Sequence, residues 1–485
     1  MRVNRQENQA AQFRLFSRDQ LEELYRSVLQ VLEYTGLDVH NEEVRAVLAD
    51  AGAWVDGLRV RIQPHLVEEA LSRAPRSFTV FSREGDPDKD LHLGPGRFYY
   101  GPGPTCPNFI DPRLGERRRY TRADARAVAT VCDALTNIDF VEGLGTVSDV
   151  PSELGDVYEF AEMIASTGKP IVAWSYTGDG CRDIHRIATA VAGGEDAFVR
   201  RPNYIFYCEP LSPLVSNKEA TDKVLYCARH RIPLIFTPCV IGGGTGPCTL
   251  AGILVQAVAE SWLGLVVSQL LNPGTPFCMG GVVSCMDMKD TILAYGAPEL
   301  PLLQAGLTEL AHYVGLPLWT TGGCTDSKLV DEQAAIEGSL SVLFSALSGG
   351  DLCHDVGYIE SAMSGSLQQL VMMEEAIGYV KRIVRGVEVT GESLALGVID
   401  EVGPGGNYLS EEHTLTHFRT EFWFPRLMDR NRWDIWERRG KQTMGDRVQT
   451  RLNEILDTHT PVPLPAEAQA KIDQILTAAQ GRVGA

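Results

Sequence analysis

From residue 97 onward, short apolar or β-rich segments recur at a near-constant interval, each ending in glycine, proline or polar residues and followed by a helix-compatible stretch. Eight are present: FYYGPGP (98–104), DFVEGLG (139–145), PIVAWSY (170–176), YIFYCEP (204–210), PLIFTPC (233–239), PFCMGGV (276–282), PLWTTGG (317–323) and DLCHDVG (351–357). Their starts lie roughly 30 to 43 residues apart, the repeat of a βα unit, and eight such units close a barrel. A doubly wound open sheet is the alternative, and it offers a nucleotide site at its switch point. No strand–GxGxxG–helix unit occurs, and Gly242-Gly243-Gly244-Thr245-Gly246 lacks the Lys-Ser/Thr that completes a phosphate loop. The pattern therefore predicts a (β/α)8 TIM barrel over 97–384.

The flanks read as helical extensions. Over 1–96, Ser17 with Gln20 forms a capping box, and Leu21, Leu24, Val28 and Leu32 follow at helical spacing. Further amphipathic stretches run over 42–51 and 64–73, and between them AWVDGLRVRI alternates around an Asp-Gly hairpin turn. Over 385–485 the pattern is that of a helical cap: EEHTLTHFRTEFWFPRL, a charged helix over 432–457, a Pro-rich break, and a last helix over 465–479. No apolar run is read as reaching the roughly 18–20 residues that span a bilayer, and the polar start MRVNRQENQAAQFRLF lacks an apolar signal core. Eleven cysteines without a CxxC pair point to free thiols and a cytoplasmic, reducing compartment. The net charge of −19 argues against nucleic-acid and anionic-membrane partners.

In a barrel of this kind the reactive residues lie at the strand C-termini and the following loops. Those positions carry Gly101 and Gly103; Trp174, Ser175 and Tyr176; Tyr207, Glu209 and Ser212; Asp326, Ser327 and Lys328; and His354, Asp355, Tyr358 and Glu360. A set rich in aromatics and carboxylates and poor in arginine suits a cation better than a phosphate. Each member has a plainer reading. Trp174 and Tyr207 are equally compatible with packing between barrel and helices, and Thr-Asp-Ser-Lys with a helix N-cap. His354 follows an apolar strand directly and can equally be a satisfied core histidine. His413 and His417 share an i, i+4 spacing, but the run lacks the internal Glu of a zinc protease and falls outside the barrel, so no metal is expected. There is no GxSxG elbow for a serine hydrolase. A quaternary-amine-binding barrel without activity, and a lyase using Lys328 as a Schiff base, stand as rival readings.

Three stretches, TLAGILVQAVAESWLGLVVSQLLNPGTPFCMGG, TTGGCTDSKLVDEQAAIEGSLSVLFSALSGGDLCHDVGYIES and GPGGNYLSEEHTLTHFR, resemble the trimethylamine methyltransferase family. The resemblance covers nearly the whole chain. It implies a barrel with its site at the strand mouths, a separate corrinoid protein as partner, and a homo-oligomer. The family's name-giving branch carries pyrrolysine in its barrel. This sequence contains only the twenty common residues, and so resembles the branch that includes glycine betaine demethylases. A quaternary ammonium leaves as a neutral tertiary amine and needs no extra activating electrophile, so the resemblance implies transfer of a methyl from glycine betaine or a related betaine to the partner's Co(I). Trimethylamine is the alternative donor. On this reading His354, Asp326 and Glu209 are the catalytic candidates. Trp174, Tyr176 and Tyr207 cage the trimethylammonium head beside Glu209, with cation–π contacts of roughly 0.5–2 kcal/mol each. His354 with Tyr358 or Lys328 holds a substrate carboxylate, and Gly101, Gly103 and Gly322 leave room for corrinoid docking. Asp183-Ile184-His185 lacks the glycine of a corrinoid-binding Asp-x-His-x-x-Gly, so the chain itself is expected to bind no corrinoid.

Overall fold

A computed structural model describes residues 12–483. The first eleven residues of the polar N-terminal stretch lie outside the described residues. Helices α1 (Arg18–Gln30), α2 (Glu42–Asp50) and α3 (Pro64–Arg73) form the lead-in, and the Ser17–Gln20 capping box is present at α1. The expected hairpin pairs β1 (Trp54–Asp56) with β2 (Arg59–Arg61). A second hairpin, β3 (Phe78–Val80) with β4 (Leu91–Leu93), follows. Its Val80, Leu91 and Leu93 pack with Tyr99, Val172, Ile205, Ile235 and Trp319 inside the barrel, so the segment before residue 97 supplies the barrel's floor.

Seven parallel strands form one curled sheet: β5 (Tyr99–Tyr100), β6 (Ile171–Ala173), β7 (Tyr204–Cys208), β8 (Leu234–Phe236), β9 (Phe277–Gly280), β10 (Leu318–Thr321) and β11 (Leu352–His354). They are hydrogen-bonded in the order β5-β11-β10-β9-β8-β7-β6. The expected second strand, 139–145, is not a regular strand. It contributes a single bridge, Val141 to Ile171, while the Asp139 amide donates to the Tyr100 carbonyl at 2.6 Å. That thread closes the ring between β5 and β6, so the fold is a (β/α)8 barrel with one irregular unit. One side chain takes a ladder position there, and another braces the turn that leads in. The Asp139 carboxylate accepts the Tyr100 amide (2.9 Å), and the buried Lys169 ammonium donates to the carbonyls of Cys132, Leu135 and Ile138 at 2.5–2.7 Å.

The outer ring comprises α4 (Arg122–Ala134), α5 (Gly155–Ala165), α6 (Gly178–Ala192), α7 (Glu195–Arg200), α8 (Lys218–His230), α9 (Leu250–Leu271), α10 (Glu299–Val314), α11 (Glu332–Ser348) and α12 (Leu367–Val384). Helix α9 corrects the reading that no segment could span a bilayer: its 22 residues are long and apolar enough to do so. Here they are mostly buried, against α1, α3, α8 and β9. Burial on two sides removes the polar face that a surface helix carries.

Beyond the barrel lie α13 (Leu396–Val402), α14 (Glu412–Glu421), α15 (Trp433–Arg438), α16 (Met444–Thr458) and α17 (Ala466–Val483). The single charged helix expected over 432–457 is two, interrupted where Gly440 turns with φ 95°. Helix α16 packs on α12 and α4, and α17 on α6 and α5. Helices α13, α14 and α15 bury none of their residues. All eleven cysteines are free thiols.

At the floor, the buried Asp351 carboxylate accepts the amides of Gly94 (2.5 Å) and Leu318 (2.9 Å), yet burial outweighs these bonds and pushes its pKa up to about 7. A carboxyl raised on folding stabilises fully at low pH and loses that contribution as pH rises through the raised value. The stability attributable to Asp351 should therefore fall by at most on the order of 4 kcal/mol between about pH 4 and pH 7. Urea unfolding of wild type and Asp351→Asn across that range tests it; a difference between the two that stays constant from about pH 4 to 7 would contradict the assignment.

Candidate active site

Side chains alternate along each strand, and the alternation decides what faces the barrel axis. Phe140, Val172, Ile205, Trp319 and Leu352 form the lower interior. Two residues further on, toward the strand C-termini, stand Glu142, Trp174, Tyr207, Thr321 and His354. This upper layer is lined with acids and aromatic rings.

Glu142 is fully buried, and neither carboxylate oxygen has a hydrogen-bond partner among the described residues. Burial, with Asp355 and Glu159 nearby, pushes its carboxyl well above the usual range. Glu159, reaching in from α5, accepts the Trp174 indole N–H at 2.8 Å through Oε2, leaves Oε1 unpaired, and is likewise raised well above its usual range by burial. Glu209 accepts the Tyr207 hydroxyl at 3.0 Å. Its side chain is accessible although protein surrounds it on nearly every side, so it lines a well rather than an outer surface. Burial raises its pKa, with the Tyr207 bond and Lys223 opposing. The Lys223 ammonium donates to the Ser175 carbonyl at 2.6 Å.

Asp355 adopts φ 71°, a left-handed conformation that is strained for a residue other than glycine. Its Oδ1 lies 2.7 Å from His354 Nδ1, a close contact without hydrogen-bond alignment, and its Oδ2 is unpaired. The His354 ring is stacked on Trp319 (centroids 4.3 Å apart, planes at 15°), with Nε2 3.1 Å from the Thr321 hydroxyl. Tyr207 lies beside both rings, 6.0 Å from Trp319 and 6.5 Å from His354. Trp174 meets Tyr176 edge-on at 4.7 Å, and Tyr176 is 43% exposed, which puts it at the rim.

The structure thus brings together Trp174, Tyr176, Tyr207, Glu209, His354 and, through its ring, Tyr358. Trp174 and Tyr207 point into the barrel and not between barrel and helices. It does not bring Asp326 and Lys328 to the same place. Asp326 accepts the amides of Tyr295 (2.9 Å) and Gly296 (2.8 Å) and the Ser361 hydroxyl (2.7 Å), so it ties two loops together and sets Tyr295 against Tyr358. Lys328 is exposed, its ammonium on the Asp326 carbonyl (2.9 Å). The Tyr358 hydroxyl donates to the Pro104 carbonyl. A carboxylate clamp of His354 with Tyr358 or Lys328 is therefore not assembled. Nor do the three glycines leave room above the mouth. A side chain at Gly103 would collide with Asp355 and at Gly101 with Phe140, and at Gly322 it would sit in tight contact with Cys353 and the Ser341 backbone. They permit internal close approach instead.

Sequence reasoning passed over Glu142, Glu159, Trp319 and Tyr295. Glu142 and Trp319 were legible as inward positions by period two, Glu142 two residues after Phe140. Glu159 and Tyr295 had no local signal, since a helix and a long loop deliver them.

The family profile described as trimethylamine methyltransferase matches residues 1–480. Over 476 residues, covering 97% of this chain and 94% of the relative, the sequence is 34% identical to trimethylamine methyltransferase MttB of Desulfitobacterium hafniense. Over 474 residues it is 28% identical to a glycine betaine methyltransferase of Desulfitobacterium hafniense, covering 97% and 98% of the two chains. The crystal structure of the Methanosarcina barkeri monomethylamine methyltransferase superposes with a TM-score of 0.53 at 11% identity, covering 97% of this chain and 88% of that one, which establishes the shared fold.

Proposed function

The chain belongs to the trimethylamine methyltransferase family and is a methyltransferase, and from that premise we propose that it moves a methyl group from a quaternary amine to the corrinoid of a separate partner protein. One observation carries the donor class: unpaired carboxylate oxygens of Glu142, Glu159 and Asp355, buried among aromatic rings. An unpaired buried carboxyl is costly, and a cationic head group would relieve that cost while packing on Trp174, Tyr207 and Trp319. The partner's Co(I) supplies the nucleophile. The chain's own residues then have three tasks. Glu142, Glu159 and Glu209 hold the ammonium, the stacked Trp319 and His354 fix its orientation, and the aromatic wall excludes water, so that the N–CH3 bond is aligned toward the mouth. The departing tertiary amine is neutral and needs no proton from the enzyme.

A betaine such as glycine betaine is the reference donor, and trimethylamine the alternative. In a methyl-transfer assay with a cobalamin-loaded corrinoid protein, at least one quaternary amine should be turned over about tenfold or more faster than trimethylamine, a difference of about 1.4 kcal/mol in transition-state stabilisation. Trimethylamine outpacing every quaternary donor would overturn the donor class.

Assembly with other proteins is supported by the segment beyond the barrel. Leu394, Leu396, Ile399, Leu409, Leu415, Phe422 and Trp433 are exposed there, an apolar exposure suited to protein contact. It fits both an oligomer of this chain and docking of the corrinoid protein.

A further inference from the structure

Away from the mouth, three side chains from three consecutive helices converge at the barrel's other end. They are His185 in the middle of α6, Glu195 at the start of α7 and His230 at the end of α8. His185 Nε2 lies 3.0 and 3.1 Å from the two Glu195 oxygens, and His230 Nδ1 lies 3.1 Å from Glu195 Oε1. One ligand atom from each side chain falls within 4.8 Å of the other two. We propose that His185, Glu195 and His230 form a zinc site with a structural role.

The argument is one of donor chemistry and placement. Two imidazoles and a carboxylate are a common protein donor set for zinc, which takes nitrogen and oxygen ligands at about 2.0–2.2 Å in a tetrahedron, leaving neighbouring donors about 3.3 Å apart. The His–Glu separations of 3.0–3.1 Å are close to that, and the two ring nitrogens lie within 4.8 Å of one another. His185 is also prepared as a ligand. It is buried, and its other nitrogen, Nδ1, sits 3.0 Å from the Tyr204 hydroxyl, which fixes the ring and leaves Nε2 for the ion. His230 and Glu195 are partly exposed, so an ion has a path in and a fourth position open to water. Tyr204 begins β7, so the cluster lies toward the N-terminal end of the strands, the face of such barrels that serves stability and not catalysis. A zinc ion there would clasp α7, six residues long and with Phe198 as its one buried side chain, to α6 and α8.

The test uses the full chain, purified without a histidine tag and stripped with chelator, titrated with zinc alone against a chromophoric competitor. Wild type should take up one zinc per chain and gain Tm with it. His230→Ala should weaken that uptake about a hundredfold and abolish the gain in Tm. Glu195→Gln, which keeps hydrogen-bonding capacity and removes the charge, should weaken it in the same direction and guards against a folding defect in the first variant. Methyl transfer should be the same with and without zinc. No stoichiometric uptake by wild type would overturn the proposal. So would uptake unchanged in His230→Ala, or uptake lost instead in His413→Ala, which would put the ion on α14, where the His413 and His417 rings lie 4.4 Å apart.

Discussion

Glu142→Met is expected to lower kcat/KM for the quaternary donor about a hundredfold, about 2.7 kcal/mol, while raising the melting temperature by a few degrees. The two effects have one cause. Both Glu142 oxygens are buried and unpaired, so in the free protein the carboxyl lowers stability, and a side chain of similar volume without polar atoms removes that penalty. The same change deletes the deepest negative charge available to a bound ammonium. A second readout follows from the raised pKa. In the free protein the carboxyl stays protonated above its usual range, whereas a bound cation favours the carboxylate, so binding expels a proton. Donor affinity should thus rise with pH, by at most about tenfold per pH unit between the ordinary and the raised value, and this slope should flatten in Glu142→Met. A melting temperature that drops sharply in the variant would make Glu142 a structural residue. An unchanged kcat/KM would place the ammonium elsewhere.

The second large effect concerns the partner. The chain alone should purify without cobalt and transfer no methyl group, and activity should rise by at least about three orders of magnitude when a cobalamin-loaded corrinoid protein is added, since the nucleophile belongs to that cofactor. The described flanks consist of helices, short hairpins and loops, with no βαβ unit to form a corrinoid domain. Asp183-Ile184-His185, the nearest approach to a corrinoid-binding motif, lies within α6. Its histidine is engaged by Tyr204 and Glu195 on the outside of the barrel. Free cobalamin at high concentration should substitute weakly. Purified protein carrying stoichiometric cobalt and active without a partner would refute this.

Hydrophobic period and turn chemistry act over a few residues, and what they control was readable from the sequence alone. Seven of the eight expected strands, the capping box at Ser17 and the Asp56-Gly57 hairpin follow from side chains near in sequence, and so does the aromatic and acidic character of the strand ends. The inward turn of Trp174, Tyr207 and His354 follows from period two once the barrel is granted. Tertiary structure decided the rest, because it depends on atoms distant in sequence. Segment 139–145 is an irregular thread instead of a strand, with the Asp139 carboxylate taking the Tyr100 amide that a ladder would have paired with a carbonyl. Asp326 became a tether because the amides of Tyr295 and Gly296 reach it across about thirty residues, and Lys328 was left outside. Gly101, Gly103 and Gly322 serve close packing because Phe140, Asp355 and Cys353 occupy the space beside them. Glu142 and Glu159 come from different segments, and only closure of the barrel removes water from both. That desolvation, which no local pattern encodes, turns ordinary surface-type residues into the raised-pKa acids that define the site.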